Sequence, residues 1–333
     1  MSGAPEAVER FECFGSRCGV LVAGARADGR SARAAAELAR LALLGWHERF
    51  SRFLPESELS RLNADPAETI AVSPLMARLA AATRAAGERT RGLVDATLLG
   101  AIERAGYDSR MEGRVEPPPL ALLLELAPAR AVASPSPAAS WRAIEVDVAA
   151  GVLTRPPGVG LDGGGLAKGM FADALGRRLA GHASFAVDCG GDLLLGGGAG
   201  ARRQVRVQSP FDGRTLHTFE LACGGVATSG ISKRCWLDAE GRPCHHLLDP
   251  ASGRAAFTGV VQVTALAATA LEAEVRAKAA VLSGPRGARR WLARGGLAVF
   301  DDGSHELVAP PPAVSVARLA RTAGPRRLAA AAG

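Results

Sequence analysis

The chain has 333 residues, 48% hydrophobic and 22% charged, the composition of a globular protein with room for one large core or two modest ones. No run approaches about eighteen consecutive apolar residues, which excludes a membrane-spanning helix. The net charge of +7 is scattered and few aromatics lie between the charges, so nucleic-acid binding has little support.

Among 40 basic residues only Lys168, Lys233 and Lys278 are lysine. The rest are arginine, a bias that replaces lysine wherever either residue serves. A lysine that persists marks a position where a compact ammonium fits and a planar guanidinium does not. At the start of the chain, Glu6, Glu9 and Glu12 stand where an export signal needs a basic start and an apolar stretch. A cytoplasmic protein is therefore expected. The six cysteines (Cys13, Cys18, Cys189, Cys223, Cys235, Cys244) form no CxxC pair, which favours reduced thiols over a disulfide framework. Cys244 beside His245 and His246 lacks a second ligand pair at zinc spacing.

In chain order, Ser31 is placed to cap a helix over 31–50, with apolar positions at helical spacing through Leu38, Leu41, Leu44 and Phe50. RFLPESELSRLNADP reads as a turn and a short helical segment. A second helix is expected from Ser73 to about Thr90, with Pro74 at its first position. Residues 116–140 hold a short apolar helix and a Pro/Ser/Ala surface loop. From Trp141 the pattern changes to strands: RAIEVDV, VLT, FAVDC, RQVRVQS, TLHTFELA and GVVQVTAL. Helices are expected over 166–181, 269–283 and 285–294. Gly-rich turns outnumber strand–helix–strand units, which points to α+β with antiparallel sheet and not to a doubly wound fold. Residues 1–308 are expected to form one domain, and 309–333 a disordered, Arg/Ala-rich basic tail.

Four segments carry the chemistry. In LDGGGLAKG, 161–169, three glycines let backbone approach a ligand before a helix begins, and Lys168 adds a cation; phosphate is the natural occupant. The glycines fit neither the dinucleotide fingerprint nor the P-loop spacing, and a plain tight connection is the competing reading. FAVDCGGDLLLGG reads as a strand interrupted by Gly190 and Gly191, with Asp188 and Asp192 as turn carboxylates or, alternatively, metal ligands. GGVATSGISKRCW places Thr228, Ser229 and Gly230 in a polar turn after a strand. It is followed by CHHLLDPASGR, where His246 is either a general base or a structural histidine. In ATALEAEVRAKAAVLSG, Glu274 and Lys278 stand at i and i+4. They form either an exposed ion pair worth about 0.3–0.5 kcal/mol or, since Ala277 and Ala279 look buried, part of a site.

Together, and in this order, FGS at 14–16, FLPESELSRLN at 53–63, VDATLLG at 94–100, LDGGGLAKG, DCGGD at 188–192, TSG at 228–230, HHLLDPASG at 245–253 and AEVRAK at 273–278 resemble the ApbE-type flavin transferases. The resemblance spans 14 to about 300. It implies a T-fold-like α+β enzyme that binds FAD and, with Mg²⁺, transfers FMN to a threonine hydroxyl of a protein acceptor, releasing AMP. It places His246 as the catalytic base and Lys168 beside the pyrophosphate. Phe14, Phe53, Val94, Asp95, Asp162, Ser229 and Leu247 fall at cofactor-binding positions, and Gly165 and Glu274 at metal positions. The family's last helix supplies Asp and Thr to the metal; here those positions hold Glu274 and Lys278. Two accounts follow. Either Glu274, the Gly165 carbonyl, phosphates and water hold Mg²⁺, or Lys278 occupies the metal's place and supports FAD binding or a metal-independent reaction. An FAD-binding protein without transferase activity and an FAD pyrophosphatase are the alternatives to a transferase.

Overall fold

In the computed structural model, which describes residues 5–107 and 117–311, eight strands form one antiparallel sheet. They are β1 (Glu6–Cys13), β2 (Ser16–Ala23), β3 (Ser184–Cys189), β4 (Asp192–Gly196), β5 (Gly224–Gly230), β6 (Val260–Ala267), β7 (Gly296–Phe300) and β8 (His305–Val308). They lie side by side in chain order, each antiparallel to the next. The α+β class with antiparallel sheet is therefore present, as a meander whose longest excursion separates β2 from β3.

Four of these strands, β1, β2, β7 and β8, were not expected from the pattern. β1 is an edge strand in which exposed Glu6, Arg10 and Glu12 alternate with partly buried Ala7 and Phe11. Such charge is how edge strands avoid pairing with other chains, and it disguises the strand period. Two further expectations are corrected. Gly190 and Gly191, at φ +73° and +99°, form the tight turn of the β3–β4 hairpin and do not interrupt one strand. Thr228, Ser229 and Gly230 belong to β5 itself, paired with Thr264, Val263 and Gln262 of β6.

The α-helices are α1 (Ala32–Phe50), α2 (Glu58–Ala64), α3 (Pro74–Thr90), α4 (Leu99–Arg104), α5 (Leu120–Glu125), α6 (Ala167–Leu179), α7 (Ala270–Leu282) and the short α8 (Gly284–Ala288), which with a 3₁₀ turn (Arg289–Leu292) takes the place of the helix expected over 285–294. Ser31 and Ser73 cap α1 and α3 through their hydroxyls, as their positions indicated, and Ser57 caps α2 in the same way. The buried face of α1 differs from the leucine stripe: Ala35, Ala36, Ala39, Leu43 and Trp46 pack inward, while Leu38 and Leu41 are 52% and 50% exposed. Small alanines let α1 lie close on the sheet, and that closeness decides which face turns in. A small sheet of Thr69–Ala71, Val152–Thr154 and Glu145–Asp147 packs against α3.

α1 packs on β1 and β2, α6 on β3 and β4, and α7 on β5 and β6, with α6 touching both other helices. Their shared core includes Val20, Val22, Val187, Leu43, Phe171 and Leu175. The α6–α7 crossing is close at Gly169, where an added Cβ would lie 2.8 Å from the Ala270 carbonyl and from Glu274 Oε2. Among the described residues no helix is long and apolar enough to cross a membrane. Beyond residue 311 the expected tail lies outside the described residues.

Gly169→Ala gains about 0.5–1 kcal/mol of helix propensity but forces backbone apart, which costs about 1–3 kcal/mol. The expected outcome is a net loss, read as a lower urea midpoint at unchanged m-value.

Candidate active site

A cavity of about 900 Å³ opens beside the start of α6. Its floor begins at the β1–β2 turn, where Phe14 and Gly15 have φ of +53° and +63°. Both central residues are left-handed, the geometry of a type I′ turn, which glycine or asparagine adopts at least cost. Phe14 pays about 1–2 kcal/mol for it. Its ring stacks on Phe171 at 5.3 Å and meets His47 edge-on at 5.0 Å. An aromatic held in that conformation at a cavity wall is strain stored where a ligand would lie.

The glycine loop is positioned from α2. Asn63 donates from Nδ2 to the Leu161 carbonyl (2.9 Å) and accepts at Oδ1 from Leu161 N (2.8 Å), so the SELSRLN segment anchors LDGGG. Asp162 Oδ1 accepts from Gly164 N at 3.0 Å and faces Arg52 Nε at 3.7 Å. Gly163 sits on Leu59 of α2, whereas a Cβ at Gly165 would meet nothing within 4 Å. Gly165 therefore leaves bare backbone at the cavity. Lys168, in the first turn of α6, reaches Ser16 Oγ at 3.4 Å and is buried.

Of the residues proposed from sequence, Phe14, Phe53, Val94, Asp95 and Asp162 line this cavity, as do Gly165, Lys168, His246 and Leu247. Two do not. Ser229 is buried within β5 and is not among the residues that line the cavity. Glu274 is 1% exposed and reaches the cavity only through Lys278, to which it is bonded at 2.8 Å. The reading of this pair as an exposed ion pair is corrected: the Lys278 side chain is 11% exposed and lines the cavity. Asp192 is buried too, and is no solvated turn carboxylate. Asp188 accepts from Gly191 N at 2.7 Å and shapes the hairpin turn.

Sequence reasoning missed Arg52, Tyr107, Lys233 and Arg234, all on the lining. Arg52 lies over the rings of Phe53 and Tyr107 at 4.3 and 4.7 Å, an aromatic and guanidinium platform suited to a flat ring system. The signal for Lys233 was available, since it is one of the chain's three lysines, and all three line this one cavity.

The charges perturb one another strongly. Burial, then Arg234, lowers the Lys168 ammonium to about 8. Burial, then Glu274, raises Asp192 to about 7. Burial, then Arg234, holds half-buried His246 well below the ordinary histidine range, so the ring is neutral, and its buried Nδ1 has no hydrogen-bond partner among the described residues. His245 next to it is structural: its Nδ1 accepts from Leu247 N at 3.2 Å and its ring packs edge-on against Phe257.

The ApbE family model matches residues 14–300. This chain belongs to the ApbE family. The FAD:protein FMN transferase of Rhodobacter capsulatus is 29% identical over 317 residues, covering 90% of this chain and 57% of that protein. The FAD:protein FMN transferase of Escherichia coli (strain K12) is 33% identical over 139 residues, covering 40% of this chain and 39% of that protein. The alignments thus reach 39% to 57% of these relatives' length. The crystal structure of the ApbE protein of Thermotoga maritima superposes with a TM-score of 0.73 at 24% identity, covering 91% of this chain and 97% of that one. The Pseudomonas stutzeri flavinyl transferase ApbE, apo form, gives 0.71 at 21%, covering 92% and 95%. The fold is that of the ApbE proteins.

The divalent ion implied by the family does not suit the donors present here. Both oxygens of Glu274 are engaged, Oε1 by the Lys278 ammonium and Oε2 by Gly169 N at 2.9 Å. Among the described residues no group of three or more His, Cys, Asp or Glu side chains converges on a metal position. Mg²⁺ prefers carboxylate and water oxygens in a near-octahedral shell, and a protonated lysine at that place repels it.

Two measurements test this electrostatic picture. Glu274→Met should destabilise by about 3–5 kcal/mol because Lys278 is left buried and unpaired, and Glu274→Met/Lys278→Met should recover most of it. A single variant as stable as the double would show that the pair is solvated. Asp192 is raised in the folded state, so its contribution to stability is full below about pH 4 and is lost as pH rises through about 7. Relative to Asp192→Asn, the wild type should therefore lose stability across that window, measured by urea unfolding as a function of pH.

Proposed function

We propose that this ApbE protein is an FAD:protein FMN transferase. The observation that carries the reading is one cavity holding three kinds of group together. It has an aromatic and guanidinium platform (Arg52, Phe53, Tyr107), a cationic group (Lys168, Lys233, Arg234, Lys278) and a neutral histidine whose Nδ1 has no partner among the described residues (His246). FAD has the matching parts, a flat ring system and a doubly charged pyrophosphate. The names of the relatives from E. coli and R. capsulatus support the same reading.

In this reading a threonine hydroxyl of an acceptor protein attacks the phosphorus attached to riboflavin. The new Oγ–P bond forms as the bond from that phosphorus to the bridging oxygen breaks, and AMP leaves with the bridging oxygen. The hydroxyl proton passes to His246, which burial keeps unprotonated and able to accept it. Lys168, beside the bare backbone at Gly165, stabilises the charge that gathers on the phosphoryl oxygens. Asp162 and Asp95 are held by neighbouring groups and keep the loops that frame the flavin in place: Asp95 accepts from Thr97 N at 2.8 Å, and Asp162 N donates to the Ala96 carbonyl at 2.8 Å.

The test is to mix the purified protein with FAD and an acceptor carrying a flavinylation-type threonine, then measure AMP and covalent flavin fluorescence on a denaturing gel. Transfer gives both. AMP without acceptor labelling identifies a pyrophosphatase, and FAD binding without AMP identifies a binding protein. His246→Ala should lower the transfer rate by about 10²–10⁴-fold while FAD affinity changes little, because the base acts on the hydroxyl and not on the bound dinucleotide.

A further inference from the structure

All three lysines of a chain that otherwise uses arginine line one cavity, and one of them is bonded to the acidic residue that the family pattern would give to a metal. Chance placement of the only three ammonium groups around one site is a weak account, since elsewhere on the chain arginine serves every basic position. Lys278 is held from below by Glu274, whose second oxygen is fixed by Gly169 N at the α6–α7 crossing. The ammonium is thus aimed into the cavity and cannot swing away without leaving Glu274 buried and unpaired. Lys168 and Arg234 are close enough to perturb the same groups, Asp192 among them. Lys233 sits on the exposed rim of the lining.

We infer that these fixed side-chain cations, with Lys278 at their centre, neutralise the pyrophosphate of FAD in place of a divalent metal ion, so that binding and transfer proceed without one. The inference rests on the transferase reading for its chemistry. A dinucleotide pyrophosphate carries two negative charges, and a third gathers as AMP departs as a phosphate monoester. An ammonium compensates charge on the non-bridging oxygens as a point charge and donates hydrogen bonds to them, with no need for oxygen ligands. The atoms balance as in any transfer from FAD: the Oγ–P bond replaces the P–O bond to the bridging oxygen, and the hydroxyl proton is released. A divalent ion placed beside Lys278 would add positive charge to a group already in surplus of it.

The experiment compares FAD binding, followed by quenching of flavin fluorescence, and AMP release with the threonine-bearing acceptor present, in EDTA and in added Mg²⁺. Wild-type protein should bind FAD equally in both and release AMP at the same rate. Lys278→Met should weaken FAD binding in EDTA and lower AMP release by about 10²–10³-fold, the loss typical of one charge-stabilising group. Glu274→Gln/Lys278→Met, which leaves no buried charge unpaired, should show the same loss in a folded protein. FAD binding or AMP release by the wild type that falls more than about tenfold in EDTA and returns with Mg²⁺ would overturn the inference while leaving the transferase reading intact. Metal-independent FAD binding with no AMP under either condition would instead sink the transferase reading and leave the lysine cluster as an FAD-binding device.

Discussion

Two helices hold each other by exchanging carboxylates. Asp173 of α6 accepts from Ala270 N (2.8 Å) and Leu271 N (3.1 Å) at the start of α7, and Glu274 of α7 accepts from Gly169 N in the first turn of α6. Each helix satisfies amides that the other leaves without an internal partner, and each carboxylate sits at the positive end of the helix it caps. α6 has no capping side chain of its own, so Glu274 does that work from a neighbouring element. The exchange requires the close crossing at Gly169. It fixes the start of α6, with Lys168, against the face of α7 that carries Lys278.

That arrangement puts the site's charge inside the fold. Lys168 and Lys278 are buried and oriented before any ligand arrives, so little reorganisation is needed when a dianionic ligand enters. The cost is visible in the neighbouring groups: the Lys168 ammonium is depressed, and Asp192 is raised well above the ordinary carboxylate range, both first by burial. A buried ion pair is a poor source of stability, and its retention here is better explained by what Lys278 faces than by what the pair adds to folding.

The aromatic side of the cavity depends on local strain in the same way. Phe14 occupies a left-handed turn position, and its ring is held between Phe171 and His47. The packing of Trp46, Phe50 and Phe14 around Phe171 ties that turn to α1 and α6. The SELSRLN segment belongs to this support. Ser57 caps α2, Glu58 accepts from Ser73 N and Oγ, and Asn63 clamps Leu161 before the glycine loop.

Local sequence determined what depends on near neighbours. Serine caps set the starts of α1 and α3, glycines set the loop before α6, and the eight ordered segments identified the family. The scarcity of lysine marked Lys168 and Lys278 as special, and the same signal held for Lys233. Tertiary structure alone decided the rest. Alanine packing, not leucine spacing, chose the inward face of α1; an edge position hid β1; and pairing with β6 made TSG part of a strand in which Ser229 is buried outside the cavity lining. Glu274 and Gly169 lie 105 residues apart, and Asp173 and Ala270 lie 97 apart. No local period encodes a bond across that distance, because it exists only when the sheet brings the two helices together. Whether Glu274 and Lys278 make an exposed pair or a buried cation for a ligand is settled by that crossing, since burial is a property of the assembled layers and not of the i, i+4 spacing.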